Sequence, residues 1–389
     1  MIEPGRLLAN LSRRDVPDRR LPQKQLTVRA LVLAFLLALI GVTMAPDAHA
    51  TGDWAAKKRA LDVALAAAIE RYDIPGAAVG VWTPEGRWIA TRGFADLARR
   101  IPVRAASRFG IRSITKSFTV TVILQLAAEG RLRLDDKVAK YVAGVPNGHR
   151  ITLRQLANMT SGLVDYSKTR GFLDKFTANF ARRWTDEELL RFAFREKPAF
   201  DPGTRYDYSN TNTVLLGVVV AKVTGRPFAK VLQRRILDRL RLTDTQYLSD
   251  SIVPPPRALN YLYDEDTDSY FSVPVSFTSQ GPAGALATDL GDLRRWGEAL
   301  ADGTLLPPAL QRQRFAGRPP TNGPEYDQYG LGIGELDGFW GHTGSGLGYQ
   351  ALVMHHPKRH ETVAILINTS RYEDIPAQIF RKLARILVR

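Results

Sequence analysis

The chain contains no cysteine, which excludes disulfides, iron–sulfur clusters, thiolate zinc sites and a cysteine nucleophile. It also lacks a G-x-S-x-G elbow, an H-E-x-x-H pair and a Walker A sequence. Those absences remove the α/β-hydrolases, the common zinc peptidases and the P-loop enzymes from consideration. No long basic run is present, although the 389 residues carry a formal charge of +15. Arg and Lys are interleaved with acids, and the charge without the first 50 residues is still +12. That pattern describes a solvated basic surface rather than a nucleic-acid site. With 44% hydrophobic and 24% charged residues, the composition is that of a globular protein.

The first 50 residues read as a leader. A basic stretch ends at Arg29, Ala30–Ala45 is apolar apart from Thr43, and Ala48-His49-Ala50 follows as a small-x-small cleavage signature. The apolar run of 16 residues is short of the about 20 that span a bilayer. The expectation is a signal peptide over 1–50, removed on export to the periplasm or medium, with no stable membrane span after processing. An uncleaved anchor is the alternative.

Beyond the leader, Asp53–Tyr72 has helical spacing. Ala77–Trp82 and Trp88–Gly93 form two apolar runs joined by the turn residues Pro84-Glu85-Gly86. Helices are predicted over Ser113–Glu129, from a Thr185–Glu188 capping box, over Thr211–Thr224 and Phe228–Leu240, and over Thr288–Ala301 and Ile375–Val388. Strands are predicted at Gly330–Leu336, Gly348–His355 and Thr362–Ile367. Strands at both ends of the mature chain and helices between them imply one sheet assembled from both ends, with a helical lobe inserted. The segment from Pro254 to Gly284 has little periodicity and five aromatic residues, so it either walls a cleft or packs onto the core. His355, His356 and His360 lie beside Lys358 and Arg359 and read as a solvated turn rather than a metal site.

Three short motifs carry chemistry. Ser113-Ile114-Thr115-Lys116 is the one S-x-x-K of the chain. Residues three apart share a helix face, so an amine can reach the hydroxyl, and a helix N-terminus favours a developing oxyanion. A serine hydroxyl needs such an adjacent base to become a nucleophile. Tyr208-Ser209-Asn210 is the one Y-x-N. Its phenol can shuttle a proton and its amide can grip a substrate carbonyl, or the pair is a packed Tyr and a helix cap. His342-Thr343-Gly344 sits in the glycine-rich run Gly341–Gly348. It offers donors for a substrate carboxylate beside a sheet edge, or it is a plain glycine-rich hairpin.

Taken in order, S-x-x-K, Y-x-N and H-T-G resemble the serine β-lactamase and penicillin-binding protein superfamily. The resemblance is to the branch of class C β-lactamases and secreted serine D-alanyl-D-alanine carboxypeptidases. Phe109–Thr121, Ile151–Tyr166 and Ser279–Leu290 look like family segments. The resemblance implies an α/β (α+β) fold: an antiparallel sheet flanked by helices, with an α/β lobe over 51–105 and 281–389 and a mainly helical lobe over 106–280. It implies Ser113 as the acylated nucleophile, Lys116 as its activating partner and Tyr208 as proton shuttle. It also implies Asn210, His342, Thr343 and Gly344 as substrate-binding residues, and the backbone N–H groups of Ser113 and Ser345 as oxyanion donors. No metal or organic cofactor is implied. Whether Lys116 or Tyr208 takes the serine proton is left open.

His342 departs from the lysine that most of the family carries there. The expectation is that a protonated His342 anchors a terminal carboxylate, with an inflection near ~6.5, the ordinary value for imidazole. The reaction implied is removal of the terminal D-Ala from cell-wall peptides through an acyl-enzyme. A β-lactamase or short-acyl esterase on the same scaffold is the alternative, and a penicillin-binding sensor or wall-binding module without turnover is a further one. Its partners would be a small peptide or a β-lactam-like acyl substrate, and no nucleic acid.

Overall fold

The computed structural model describes residues 48–388. The basic stretch and apolar run assigned to the leader lie outside them. Ala48-His49-Ala50 opens the first helix, α1 (Ala48–Arg71). Among the described residues no helix is long and apolar enough to cross a membrane.

The main sheet has eight strands: β1 (Gly76–Thr83), β2 (Gly86–Asp96), β3 (Ile101–Pro102), β4 (Gln328–Tyr329), β5 (Gly334–Leu336), β6 (Phe339–Gly346), β7 (Tyr349–His356) and β8 (Glu361–Ile367). Their order is β3-β2-β1-β8-β7-β6-β5-β4, with antiparallel neighbours. The two ends of the chain meet where β1 pairs with β8, from Ala77 opposite Ile367 to Trp82 opposite Thr362. The central strands β1, β7 and β8 read as near-continuous apolar runs, because helices cover both faces of the sheet and neither face meets water.

Four further helices matter for the site: α2 (Thr115–Ala128), α3 (Asn210–Thr224), α4 (Leu290–Asp302) and α5 (Ile375–Leu387). On one face, Ala77, Val79 and Val81 of β1 pack with Leu61 and Leu65 of α1 and with Ile379, Phe380 and Leu383 of α5. The helical spacing of those α5 residues makes one apolar stripe, and full burial of each such side chain is worth about 1.5–3 kcal/mol. On the other face, Ala78 joins Val353, Leu366 and, from α4, Leu293, Trp296 and Leu300. Trp296 stacks on Phe118 at 3.6 Å between ring centroids and donates from Nε1 to Ser117 Oγ at 2.9 Å. These contacts fix α2, the helix that follows Ser113, against the sheet.

Several elements fall where their local signals put them. Thr185 and Glu188 form the reciprocal capping box that starts the Asp186–Phe194 helix. Gly225, at φ +67°, ends α3 in the left-handed conformation that glycine adopts freely. Asp289 caps α4. Other elements differ from the sequence reading. The glycine-rich run, for which no strand was predicted, is β6, the first arm of a hairpin with β7, paired from Trp340 opposite His355 to Gly346 opposite Tyr349. Glycine lowers strand propensity, and here sheet pairing overrides it. The 254–284 segment contains a small hairpin (Leu262–Asp264 with Ser269–Phe271), and its Tyr261 and Phe277 are buried. Only Ser279 and Gln280 of this segment reach the cleft described below. His355 and His356 end β7 instead of lying on a solvated turn. His355 is buried between Thr362 Oγ1 at 2.8 Å and Asp302 Oδ1 at 3.1 Å.

Candidate active site

Ser113 lies in a short 3₁₀ turn, Arg112–Ile114, which runs directly into α2. Lys116 is one turn further on, and its amine donates to Ser113 Oγ at 2.9 Å. Two more donations go to Asn210 Oδ1 at 2.7 Å and to the Ala283 carbonyl at 3.1 Å. The lysine is fully buried. Loss of water pushes its pKa down to about 7, against the opposing pull of the Asp165 carboxylate. Asn210 Oδ1 and the Ala283 carbonyl can only accept. A neutral amine therefore places its two hydrogens on them and turns its lone pair to the Ser113 hydroxyl.

Tyr208 and Asn210 reach the same point from the start of α3, with Ser209 at the cap position. The Tyr208 ring lies 5.0 Å from the Lys116 amine. Its hydroxyl is shielded from solvent and meets no full hydrogen-bond geometry. Burial pushes the phenol well above its ordinary value, with the nearby Ser113 hydroxyl a weaker counterweight. The Asn210 amide nitrogen donates to Asp165 Oδ2 at 3.0 Å and to Ser167 Oγ at 3.2 Å. Both amide hydrogens therefore have partners here, while Asn210 still lines the cleft. Its oxygen meets the lysine amine.

The third stretch arrives on β6. A Cβ on Gly344 would sit 2.1 Å from the Ile111 carbonyl oxygen and 3.0 Å from the Ser113 nitrogen, so only glycine lets this strand lie against the Ser113 turn. Thr343, Gly344 and the exposed Ser345 face a cleft of about 580 Å³ that is also lined by Ser113, Tyr208 and Asn210.

His342 is the correction. It is fully buried and does not line the cleft. Nδ1 lies 2.6 Å from the Thr343 carbonyl and Nε2 lies 3.1 Å from the Tyr329 hydroxyl. Burial, and then the neighbouring Lys116 charge, push its pKa down to about 3, against the Thr343 carbonyl bond that favours the charged form. A neutral, enclosed imidazole cannot be the cation that anchors a carboxylate.

Asp165, Ser167, Tyr326 and Tyr329 were not among the sequence candidates. Asp165-x-Ser167 carries a local signal, an Asp side chain accepting from the N–H two residues on at 3.0 Å. Its link to Asn210, 45 residues away, carries none. The spaced pair Tyr326 and Tyr329 reads as ordinary core. Two groups of potential metal ligands occur among the described residues, Asp302 with His355 and His360, and Asp244 with Asp289 and Asp292; neither lines this cleft.

Comparison with known proteins bears on this geometry. A family model described as Beta-lactamase matches residues 61–385. A β-lactamase of Lysobacter lactamgenus is 28% identical over 288 residues, 73% of this chain and 69% of that protein. A D-aminopeptidase of Cereibacter sphaeroides is 29% identical over 323 residues, 79% of this chain and 60% of the relative. The crystal structure of a D-stereospecific amidohydrolase from Streptomyces sp. superposes with a TM-score of 0.73 at 32% identity, covering 85% of this chain and 97% of that one.

Proposed function

Because the chain belongs to the β-lactamase family, a family of serine hydrolases, we propose that it cleaves small amide or β-lactam substrates through an acyl-enzyme on Ser113. One observation carries this reading: the Lys116 amine is 2.9 Å from Ser113 Oγ, with acceptors already waiting for its remaining hydrogens.

The steps follow from the two shifted groups. Neutral Lys116 takes the hydroxyl proton as Ser113 Oγ bonds to the carbonyl carbon. The backbone N–H groups of Ser113 and Ser345 hold the oxyanion. The phenol of Tyr208, kept protonated by burial, donates to the leaving nitrogen as the C–N bond breaks. The proton on Lys116 then passes back to the phenolate beside it, which restores the neutral amine and the phenol. Water then attacks the ester, with the same groups reversing their roles, and the acid and free Ser113 are restored. Opposite displacements of the two pKa values, lysine down and phenol up, support Lys116 as the base.

In this reading the cleft lies between the lobe formed by 51–105 with 281–389 and the inserted lobe 106–280. The leader over 1–50 delivers the enzyme to where wall peptides and β-lactams are met. Release of a terminal D-Ala was the finer sequence expectation. A buried, neutral His342 offers that reaction no charged anchor, and we favour amide hydrolysis in general. The names of the similar proteins, an aminopeptidase and an amidohydrolase among them, support this breadth. The test is a panel: D-Ala release from a D-alanyl-D-alanine peptide, hydrolysis of a D-amino-acid amide, cephalosporin opening and p-nitrophenyl acetate cleavage. At least one amide or lactam is expected to turn over, with loss in Ser113→Ala and Lys116→Ala alike. Stoichiometric acylation without release would favour the sensor alternative, and no acylation at all would reject the proposal.

A further inference from the structure

At the end of β7 away from the cleft, His355 is 2% exposed. Its Nδ1 lies 2.8 Å from Thr362 Oγ1 and its Nε2 lies 3.1 Å from Asp302 Oδ1. Thr362 Oγ1 also meets Glu298 Oε1 at 3.2 Å, an oxygen that already accepts from Arg294 Nε at 2.7 Å. Carboxylate oxygens can only accept. The contacts from His355 to Thr362, from Thr362 to Glu298 and from His355 to Asp302 each need a hydrogen, whereas a neutral imidazole and one hydroxyl fall one short. A cation between Nε2 and Asp302 makes up the shortfall. Nδ1 then donates to Thr362, and Thr362 donates to Glu298.

The surroundings suit a metal ion better than a proton. A ring nitrogen of His360, one of His355 and a carboxylate oxygen of Asp302 lie within 4.8 Å of one another. A proton shared by Nε2 and the carboxylate has no use for that third ligand. Ligands about 2.0–2.1 Å from a tetrahedral zinc stand roughly 3.3 Å apart, and the 3.1 Å between Nε2 and Oδ1 is already near that spacing. Asp302 and His360 are exposed, which gives an ion a way in, lets the His360 ring swing to meet it and leaves a fourth position for water. Asp302 is the last residue of α4, whose final turn carries no basic side chain, so the negative end of the helix dipole favours a cation here.

We propose that Asp302, His355 and His360 form a zinc site, completed by one water, that clips the turn between β7 and β8 to the end of α4. Two imidazole nitrogens and one carboxylate favour zinc over magnesium or calcium, which prefer oxygen alone. Thr362, and Glu298 behind it, are positioning residues that hold the His355 ring with Nε2 toward the ion. Gln350 is the β7 partner of Ser345, and His355 is five residues further on, roughly 17 Å at about 3.4 Å per residue. The site is therefore structural and separate from the chemistry at Ser113.

Zinc chloride and the untagged full chain, first stripped with a chelator, test this. Calorimetric titration is expected to show one Zn²⁺ bound per chain, and saturation to raise Tm. His360→Asn, which keeps a residue tolerant of the φ of +54° found there, and Asp302→Asn are each expected to weaken binding at least about tenfold. Thr362→Val leaves all three ligands in place and is expected to weaken it about 10- to 100-fold, the cost of losing a ligand's hydrogen-bond partner. No zinc binding, or binding that any of the three variants leaves unmoved, would overturn the proposal. Absence of zinc binding together with a Tm lowered in Asp302→Asn would overturn it by assigning the cation on Nε2 to a proton.

Discussion

Asn210 stands between Lys116 and Asp165, its oxygen 2.7 Å from the amine and its nitrogen 3.0 Å from the carboxylate. An amide offered both an acceptor and a donor has one satisfied orientation, so Asp165 fixes which end meets the lysine. The Lys116 amine is thereby aimed by a residue from outside the S-x-x-K, Y-x-N and H-T-G motifs.

Asp165→Ala removes that constraint and leaves the Asn210 nitrogen short of an acceptor in a half-buried place. An unsatisfied group of this kind costs about 1–3 kcal/mol, so acylation is expected to slow by roughly 5- to 150-fold. Single-turnover acylation by a chromogenic cephalosporin measures it. A change confined to substrate affinity would contradict the assignment.

The acylation rate is expected to follow the neutral fraction of Lys116. With its pKa lowered to about 7, the rate rises as pH passes through that value and levels off about one unit above it. Lys116→Arg, charged throughout, is expected to be inactive. A profile flat from pH 6 to 9, or one still rising toward the ordinary lysine value near ~10.4, would place the base elsewhere.

His342 is expected to leave substrate affinity unchanged between pH 5.5 and 8.5, since its pKa of about 3 lies far below that range. Its signature belongs to stability. The unfolded imidazole takes up a proton below its ordinary value of 6.5, while the folded one stays neutral until about 3. Stability is therefore lost as pH falls from 6.5 toward 3, by up to about 1.4 kcal/mol per pH unit from this group. Urea unfolding of His342→Gln should show a correspondingly shallower acid slope. An affinity inflection near 6.5 that vanishes in this variant would restore the carboxylate anchor.

Gly344→Ala forces a methyl into the Ile111 carbonyl at 2.1 Å. The strand must then move away from Ser113. Overpacking of this kind costs about 1–3 kcal/mol of stability, and displacing one oxyanion donor lowers kcat about 10²- to 10³-fold. Thermal unfolding and steady-state kinetics together check it. A variant of parental kcat would show that β6 does not set the oxyanion hole.

What was legible in the sequence was local. Ser113 and Lys116 are one turn apart, so their meeting needs only a helix. The β1–β8 closure followed from apolar runs at both ends of the chain. The strand β6 was hidden because its glycines lower strand propensity, and the need for Gly344 lies in Ile111, far away in sequence. The neutral His342 was hidden for a similar reason. It is enclosed by distant residues, Tyr326 and Tyr329 among them, whose packing against it leaves no periodic trace. Asn210 was placed in this site, but its bond to Asp165 left no trace, because Asp165 lies 45 residues before it.

The most direct test of the whole account is intact-protein and peptide mass spectrometry after brief exposure to benzylpenicillin. The account predicts one added penicilloyl group, located on Ser113 and absent from Ser113→Ala. An unmodified parent chain, or an adduct carried by any other residue, would contradict it.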